Sequence, residues 1–446
     1  MDKIIFENVR CFSTLQSCPV KPITLLVGEN SSGKSTFLAL TRIAWDVARG
    51  NLGEDIFNEE PFLLGAYDQI ASYRGGRTGR AKSFTIGSQF SLDSKIPESR
   101  FLAREATIKA RFVSQGVQSK LEQWEFASGH LKLTAQLGRS NAPPQILLST
   151  PEGSQAMGGD FSHLRWTTNG PNSLLQNLWV IIAVTSEFYK TKPEERKGRV
   201  PLPESELQIL LQVLSPLSPP SPRPYASAPI RTRPQRTYDP LKDVPKPEGS
   251  HVPMVLAKTF ASDPQAWGKL RQALVQFGAE SGLFTDVEVK RKGQKESDPF
   301  QIAVKTFGPA FNLVDVGYGV SQVLPILVDA IQEDEGRSFL LQQPEVHLHP
   351  KAQAALGSFL AALAKGQQKR FIIETHSDYL LDRIRMDIRD RKFLTPDDVA
   401  ILYFERTKGG VQIHSLEIDK SGNIVNVPAT YRQFFLEEER RFFSMS

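Results

Sequence analysis

Eight residues constrain this chain more than any others. Gly28-Glu29-Asn30-Ser31-Ser32-Gly33-Lys34-Ser35 fits the pattern GxxxxGK[ST] at every position. The apolar run at 23–27 reads as a strand, and 36–47 as a helix. Glycines let such a loop curl so that backbone N–H groups face phosphate oxygens, and the helix N-terminus adds partial positive charge. Lys34 would then reach the β- and γ-phosphates of ATP, and Ser35 would hold Mg2+. Gly28, Asn30, Ser31, Ser32, Gly33 and Thr36 complete the cradle. A chance match is the alternative, but the flanking strand and helix stand where the chemistry needs them.

A P-loop also needs a metal-side group and a residue that positions water. The apolar strand at 338–341 runs into Gln342-Gln343-Pro344-Glu345-Val346-His347-Leu348-His349-Pro350. The strand at 371–374 ends in Thr375-His376-Ser377-Asp378. Polar residues at the C-terminal ends of parallel strands are where ligands of α/β folds are met. His376 can face a γ-phosphate there. His347, His349 and Glu374 also read as ordinary core, surface or strand-end residues. Upstream, Asp315-Val316-Gly317-Tyr318-Gly319-Val320-Ser321-Gln322 opens a helix, and Gly317, Gly319 and Ser321 form a second anion-binding element. One triphosphate has no use for two such elements on one chain. In a head-to-tail pair, this one would close over ATP held by the partner's P-loop.

The remaining chain bounds the class. A composition of 40% hydrophobic and 23% charged residues belongs to ordinary soluble globular chains. The 446 residues suffice for a large core and more than one lobe. Cys11 and Cys18 supply neither a disulfide framework nor a four-ligand metal site, which suits a reducing cytoplasm. The densest apolar stretch, 178–184, is too short to cross a bilayer, and the N-terminus does not read as a signal peptide. A net charge of +5 is compatible with nucleic acid without being diagnostic. The basic residues fall in clusters: Arg74, Arg77, Arg80 and Lys82; Arg231, Arg233 and Arg236; Lys290, Arg291 and Lys292. Each also reads as a solvated surface.

Period-two patterning from 84 to 136 predicts several antiparallel strands. Helices are expected at 173–189, 204–214, 265–277, 319–331, 351–365 and 379–387. Strands are expected at 287–290, 300–305 and 399–405. The Pro/Ser-rich stretch 216–234 is the clearest break, either an exposed linker or an ordered loop. Sustained heptads are absent, which argues against a long coiled-coil arm.

Together, GENSSGKST, DVGYGVSQ, QQPEVHLHP and ETHSD resemble the Walker A, signature, Walker B with D-loop, and switch-histidine motifs of ABC-type ATPase heads. The similarity is to the SMC and OLD-like group, within the AAA-15/AAA-21 class of bacterial ATPases. Ala228-Pro229-Ile230-Arg231 and Pro234-Gln235-Arg236-Thr237-Tyr238 also look like a segment of these proteins. The resemblance implies an α/β fold, an ABC-type P-loop ATPase head with a β-rich N-terminal lobe and a helical or mixed insertion. Residues 1–150 would form the N-terminal lobe with the P-loop, 151–300 the insertion, and 301–446 the C-terminal lobe. It also implies a homodimer, or a higher oligomer, sandwiching ATP. Members of the class include ATPase subunits of two-gene antiphage systems of the Septu and PARIS kinds, which control a separate nuclease. OLD nucleases carry a TOPRIM domain after the ATPase. The residues beyond His376 leave no room for one, so a nuclease, toxin or reverse-transcriptase complex is expected on another chain.

One departure matters. Where most ABC-type heads place an Asp for metal and a Glu for water, this chain has Gln342 and Gln343. An amide is not a general base and stabilises Mg2+ less than a carboxylate. Glu345 is the nearest carboxylate. Metal would rest on Ser35 and Gln342, and water would be handled by Gln343, Glu345 and His376. The expected function is an ATP-binding, slowly hydrolysing dimeric switch in antiphage defence. The alternative is an SMC-like DNA-binding clamp in repair or maintenance.

Overall fold

The computed structural model describes all residues except 77, 138–144, 158–175, 177, 179, 184–201, 216–221, 240–243, 296–297, 432, 434–436, 438–439 and 442–446. The chain forms two compact units. The first holds residues 1–20, 31–223 and 406–413, and the second holds 21–30, 224–405 and 414–446.

The first unit is built on an eight-stranded sheet. Its strands are β1 (Lys3–Glu7), β2 (Gln16–Pro19), β6 (Ser83–Ser91), β7 (Glu105–Gln115), β8 (Gln118–Ser128), β9 (Leu131–Gln136), β10 (Gln145–Thr150) and β11 (Gly153–Met157). Their order is β11-β10-β9-β8-β7-β6-β1-β2, with antiparallel neighbours throughout. The period-two reading of 84–136 is met: Ala106, Ile108, Ala110 and Phe112 of β7 are buried, with partly or fully exposed residues between them. In β8 the buried residues Leu121 and Trp124 are three apart, because the pairing slips by one residue between Arg111 and Phe112. A two-stranded ribbon, β4 (Asn58–Glu59) with β5 (Phe62–Leu63), completes the strands of this unit.

The helix Lys34–Ala48 packs across β1, β6 and β7. It is pinned at its far end, where the indole N–H of the fully buried Trp124 donates to the Val47 carbonyl at 3.2 Å. Asp46, also fully buried, is neutralised by Arg223 and receives the Asn51 amide at 3.1 Å. A rigid helix fixes the position of the phosphate loop at its start.

The second unit is built on a seven-stranded sheet of β3 (Ile23–Gly28), β12 (Tyr225–Ser227), β16 (Ser338–Gln342), β17 (Arg370–Glu374), β18 (Val399–Thr407), β19 (Gly410–Ile418) and β20 (Ile424–Val425), in the order β12-β16-β17-β3-β18-β19-β20. The first five strands in that order pair in parallel. β16 and β17 are buried almost end to end, as strands covered on both faces are. Helices Val252–Ser262, Pro264–Ser281, Tyr318–Gln332, Pro350–Gly366 and Asp378–Arg389 supply the rest of that core. A small antiparallel sheet, β13 (Asp286–Arg291), β14 (Phe300–Lys305) and β15 (Ala310–Asn312), leads into the helix Tyr318–Gln332.

The expected helix at 173–189 lies largely outside the described residues. Part of the Pro/Ser-rich break lies outside the described residues. The rest contains β12, whose flanking Pro224 and Pro229 are tolerated because β12 is an edge strand. Among the described residues, no helix is long and apolar enough to cross a membrane.

Candidate functional site

The P-loop passes from the second unit to the first between Asn30 and Ser31, and each side has its own constraints. Gly28 ends β3 with φ 140°, and a Cβ there would lie 2.6 Å from the Phe404 carbonyl oxygen of β18. Only glycine fits that strand pair at that point. On the other side, Gly33 caps the helix with φ 95°, and a Cβ would lie 2.7 Å from both Cys11 Sγ and the Phe12 ring. Glu29, Asn30, Ser31 and Ser35 are exposed, whereas Lys34 and Ser32 are buried. Thr36 is buried too, and its hydroxyl receives Arg10 Nη1 at 3.4 Å. Arg10 also donates to the carbonyls of Leu64 and Gln69, at 2.9 and 3.3 Å. Sequence reasoning passed over Arg10, since a lone arginine after a strand carries no spacing signal.

The second half of the expected site lies at the C-terminal edge of the parallel strands. β16 delivers Gln342, Gln343 and Glu345, while β17 delivers Glu374, Thr375 and His376. The two strand-end loops are tied three times. The Gln343 N–H donates to the Glu374 carbonyl at 2.8 Å. Glu345 Oε1 accepts the His376 backbone N–H at 2.9 Å. Gln353 donates to the Leu348 carbonyl at 2.8 Å and accepts the Ser377 hydroxyl at 2.5 Å. Gln343 takes φ 43° and His347 φ 69°, so the segment turns sharply at both. His376 is exposed at the loop tip.

Glu345 is buried with 6% exposure, and its Oε2 has no hydrogen-bond partner among the described residues. Burial raises its pKa, against the pull of the His376 N–H, the Thr375 hydroxyl and the charge of Arg231. Its one assigned oxygen holds the switch loop, which is a different task from polarising water. Gln342 is buried as well, and its Nε2 donates to the Ser227 carbonyl at 3.4 Å. Among the described residues, no group of three or more His, Cys, Asp or Glu side chains is placed to hold a metal ion. A P-loop supplies Mg2+ with a serine hydroxyl and nucleotide phosphates, and Ser35 fits that role. Gln342 offers only a neutral oxygen, a weaker donor for so hard a cation.

Arg231 is the unexpected member of this edge. In the sequence it reads as one of three clustered surface arginines. Arg233 and Arg236 are indeed exposed, and Arg236 pairs with Asp315 at 2.6 Å. Arg231 instead is 2% exposed, and its Nη2 donates to the carbonyls of Gln342 and Gln343, both at 3.3 Å. The hint in the sequence was its position just after β12, one strand over from β16.

Of the signature-like residues, Gly317 is exposed at the helix start and Gly319 packs against the His347 carbonyl, 2.6 Å from where its Cβ would be. Ser321 is buried, and its hydroxyl donates back to the Tyr318 carbonyl at 2.8 Å. The Tyr318 ring meets the exposed His347 edge-on at 4.8 Å. His349 caps the helix Pro350–Gly366, its Nδ1 accepting from the Lys351 N–H at 3.4 Å.

With this geometry in view, residues 183–382 match the family described as "AAA domain, putative AbiEii toxin, Type IV TA system". That stretch holds the signature-like, Walker B-like and switch segments and begins after the P-loop. Residues 394–430 match "Protein of unknown function (DUF3696)". The fold is that of a P-loop ATPase. The parallel strand order, the loop between β3 and its helix, and the AAA-domain match carry that statement. None of the curated proteins matches the chain. Solved structures with loose likeness include an Smc head bound to the C-winged helix domain of ScpA, 11% identical over 94% of this chain and 98% of that one, TM-score 0.46. Another is the Pyrococcus furiosus Smc head with an extended coiled coil bound to the C-terminal domain of ScpA, 12% identical over 98% and 99%, TM-score 0.44. The SMC head domain from Thermotoga maritima is 11% identical over 94% and 99%, TM-score 0.37.

Proposed function

We propose that this chain is an ATP-binding, slowly hydrolysing switch subunit that works as a homodimer and governs a separate effector in antiphage defence. The observation that carries the reading is a complete P-loop motif after β3, two strands from a Walker B-like strand end whose two carboxylate places hold Gln342 and Gln343. Such a site keeps its means of binding Mg2+·ATP and lacks the base that makes turnover fast. In the dimer, Gly317, Gly319 and Ser321 of each copy close over the ATP of the other. The exposure of Gly317 and Tyr318 at the helix start leaves that end available for the role. The matched family's description names a toxin of a toxin–antitoxin system, which is in keeping with control of an effector. A nuclease or toxin on a neighbouring chain is the partner this reading calls for, in the cytoplasm.

The DNA-clamp alternative draws on the basic clusters. Two members of the first are committed within the fold: Arg74 donates to Asn8 Oδ1 at 3.2 Å, and Arg80 lies over the Tyr73 ring at 4.8 Å and donates to the Ala71 carbonyl at 2.9 Å. Arg77 lies outside the described residues.

ATP affinity of the full chain and of Lys34→Ala tests the core. The variant is expected to bind about 10- to 100-fold more weakly, the worth of a lost charge-assisted hydrogen bond. Equal affinity would sink the reading. Steady-state turnover is expected below about 1 s⁻¹, under the ordinary range of enzymes. Tight, salt-dependent duplex binding would move the balance to the clamp.

A further inference from the structure

Arg231 and Glu345 are buried opposite charges at the Walker B-like corner, where Glu374 at the end of β17 is buried as well. Each of the first two is incompletely satisfied. Arg231 Nε and Nη1 have no hydrogen-bond partner among the described residues, and neither does Glu345 Oε2. Both side chains are more than nine-tenths buried. Leaving one charge buried without a counter-charge is costly, so such residues persist as a pair or not at all. They arrive from neighbouring strands. β12 pairs with β16 in parallel register, Ser227 opposite Leu341, so the chain beyond each strand reaches the same edge. The backbone around Arg231 is fixed by Ala228 N–H to Pro247 at 2.8 Å and Thr232 N–H to Glu248 at 2.9 Å. From there, the guanidinium clamps the Gln342 and Gln343 carbonyls, while Glu345 clamps the His376 N–H.

We propose that Arg231 is a positioning residue: as counter-charge to Glu345 and clamp on the Gln342–Gln343 carbonyls, it holds the strand-end corner that presents Gln343 and His376 for ATP hydrolysis. The proposal rests on the ATPase reading above. It assigns a role to the Ala228–Arg231 segment and explains why one arginine of an otherwise exposed cluster turns inward. Amides in the usual carboxylate places offer no anion for a metal to order, and the Arg231 hydrogen bonds to the Gln342 and Gln343 carbonyls take over the task of holding the corner.

The experiment uses the full chain and four variants: Arg231→Met, Arg231→Lys, Glu345→Gln and the double Arg231→Met/Glu345→Gln. Single-turnover ATP hydrolysis, ATP affinity and thermal unfolding are measured for each. Arg231→Met is expected to slow hydrolysis by about tenfold while ATP affinity changes less than about threefold, the pattern of a lost transition-state arrangement. Arg231→Lys is expected to recover part of that rate. In unfolding, Arg231→Met lowers the midpoint, and the double variant recovers it because Glu345 is no longer left without its counter-charge. Unchanged hydrolysis in Arg231→Met, or fully additive effects on unfolding, would overturn the proposal. The two readings fail separately. Undiminished ATP binding by Lys34→Ala overturns the ATPase reading, while the unfolding cycle still reports whether the pair exists.

Discussion

Two strand ends in the parallel part of one sheet carry different halves of the proposed nucleotide site. β3 runs into a loop in which every position of the phosphate motif is kept, and Gly28 and Gly33 are enforced by close approaches of 2.6 and 2.7 Å. Two strands away, β16 ends in amides, and the carboxylate that follows them, Glu345, is buried and holds the His376 backbone N–H. The first end is shaped by the two glycines its backbone requires. The second is shaped by internal ties, three to the end of β17 and the loop after it and two to Arg231. On the proposed reading, binding and chemistry are separable in this fold, and the chain keeps the first while relinquishing part of the second.

The sharpest way to break this comparison is to give β16 back its base. Gln343→Glu is expected to raise ATP turnover by about 10²-fold, the low end of what a positioned general base contributes. ATP affinity should stay near the wild-type value, because the β3 end is untouched. A steady-state assay with saturating ATP decides it. No gain in rate would mean that the amide at 343 is not what limits hydrolysis.

A second test asks which glycines serve the fold and which serve the ligand. Gly28→Ala and Gly33→Ala each place a Cβ under 3 Å from fixed neighbours at positive φ. Each is expected to cost about 3 kcal/mol or more in stability, the sum of backbone strain and overlap. Gly319→Ala meets the His347 carbonyl and should also destabilise. Gly317 is different: its φ is −56° and no atom lies within 4 Å of the added methyl. Gly317→Ala should leave the unfolding midpoint within about 0.5 kcal/mol of wild type. A loss of ATP-dependent dimerisation in that variant, read by sedimentation, would then report the signature role alone. Unchanged dimerisation would remove Gly317 from the interface.

What the sequence disclosed follows the physics of each sheet. The antiparallel strands from 84 to 136 alternate because one face is buried, and the register shift between Arg111 and Phe112 explains the break in period in β8. The P-loop, β16, β17 and their helices were legible because apolar runs, glycines and caps are local signals. β12 was hidden, since a three-residue strand between prolines looks like a linker until its partner is known. Arg231 was hidden for the same reason. Burial of one arginine among three is decided by the strand beside it, which no local pattern encodes. Arg10, held to Thr36 across 26 positions of chain, was equally out of reach.

The smallest effect expected concerns pH, and it separates the two strand ends once more. Glu345 titrates near 4.5 in the unfolded chain and higher in the folded one, chiefly because burial disfavours its charged form. Between those two values the folded state binds more protons than the unfolded state. Its contribution to stability is therefore complete below about 4.5 and is lost as pH rises through the folded pKa. Gln cannot titrate, yet its Oε1 can still accept the His376 N–H. The unfolding free energy of wild type should thus fall relative to Glu345→Gln as pH rises from the acid side through the raised folded pKa. Denaturant unfolding of both proteins across that range checks it. A constant difference between the two would mean that Arg231 compensates the carboxylate completely, which would make the corner a settled ion pair with no residual charge penalty.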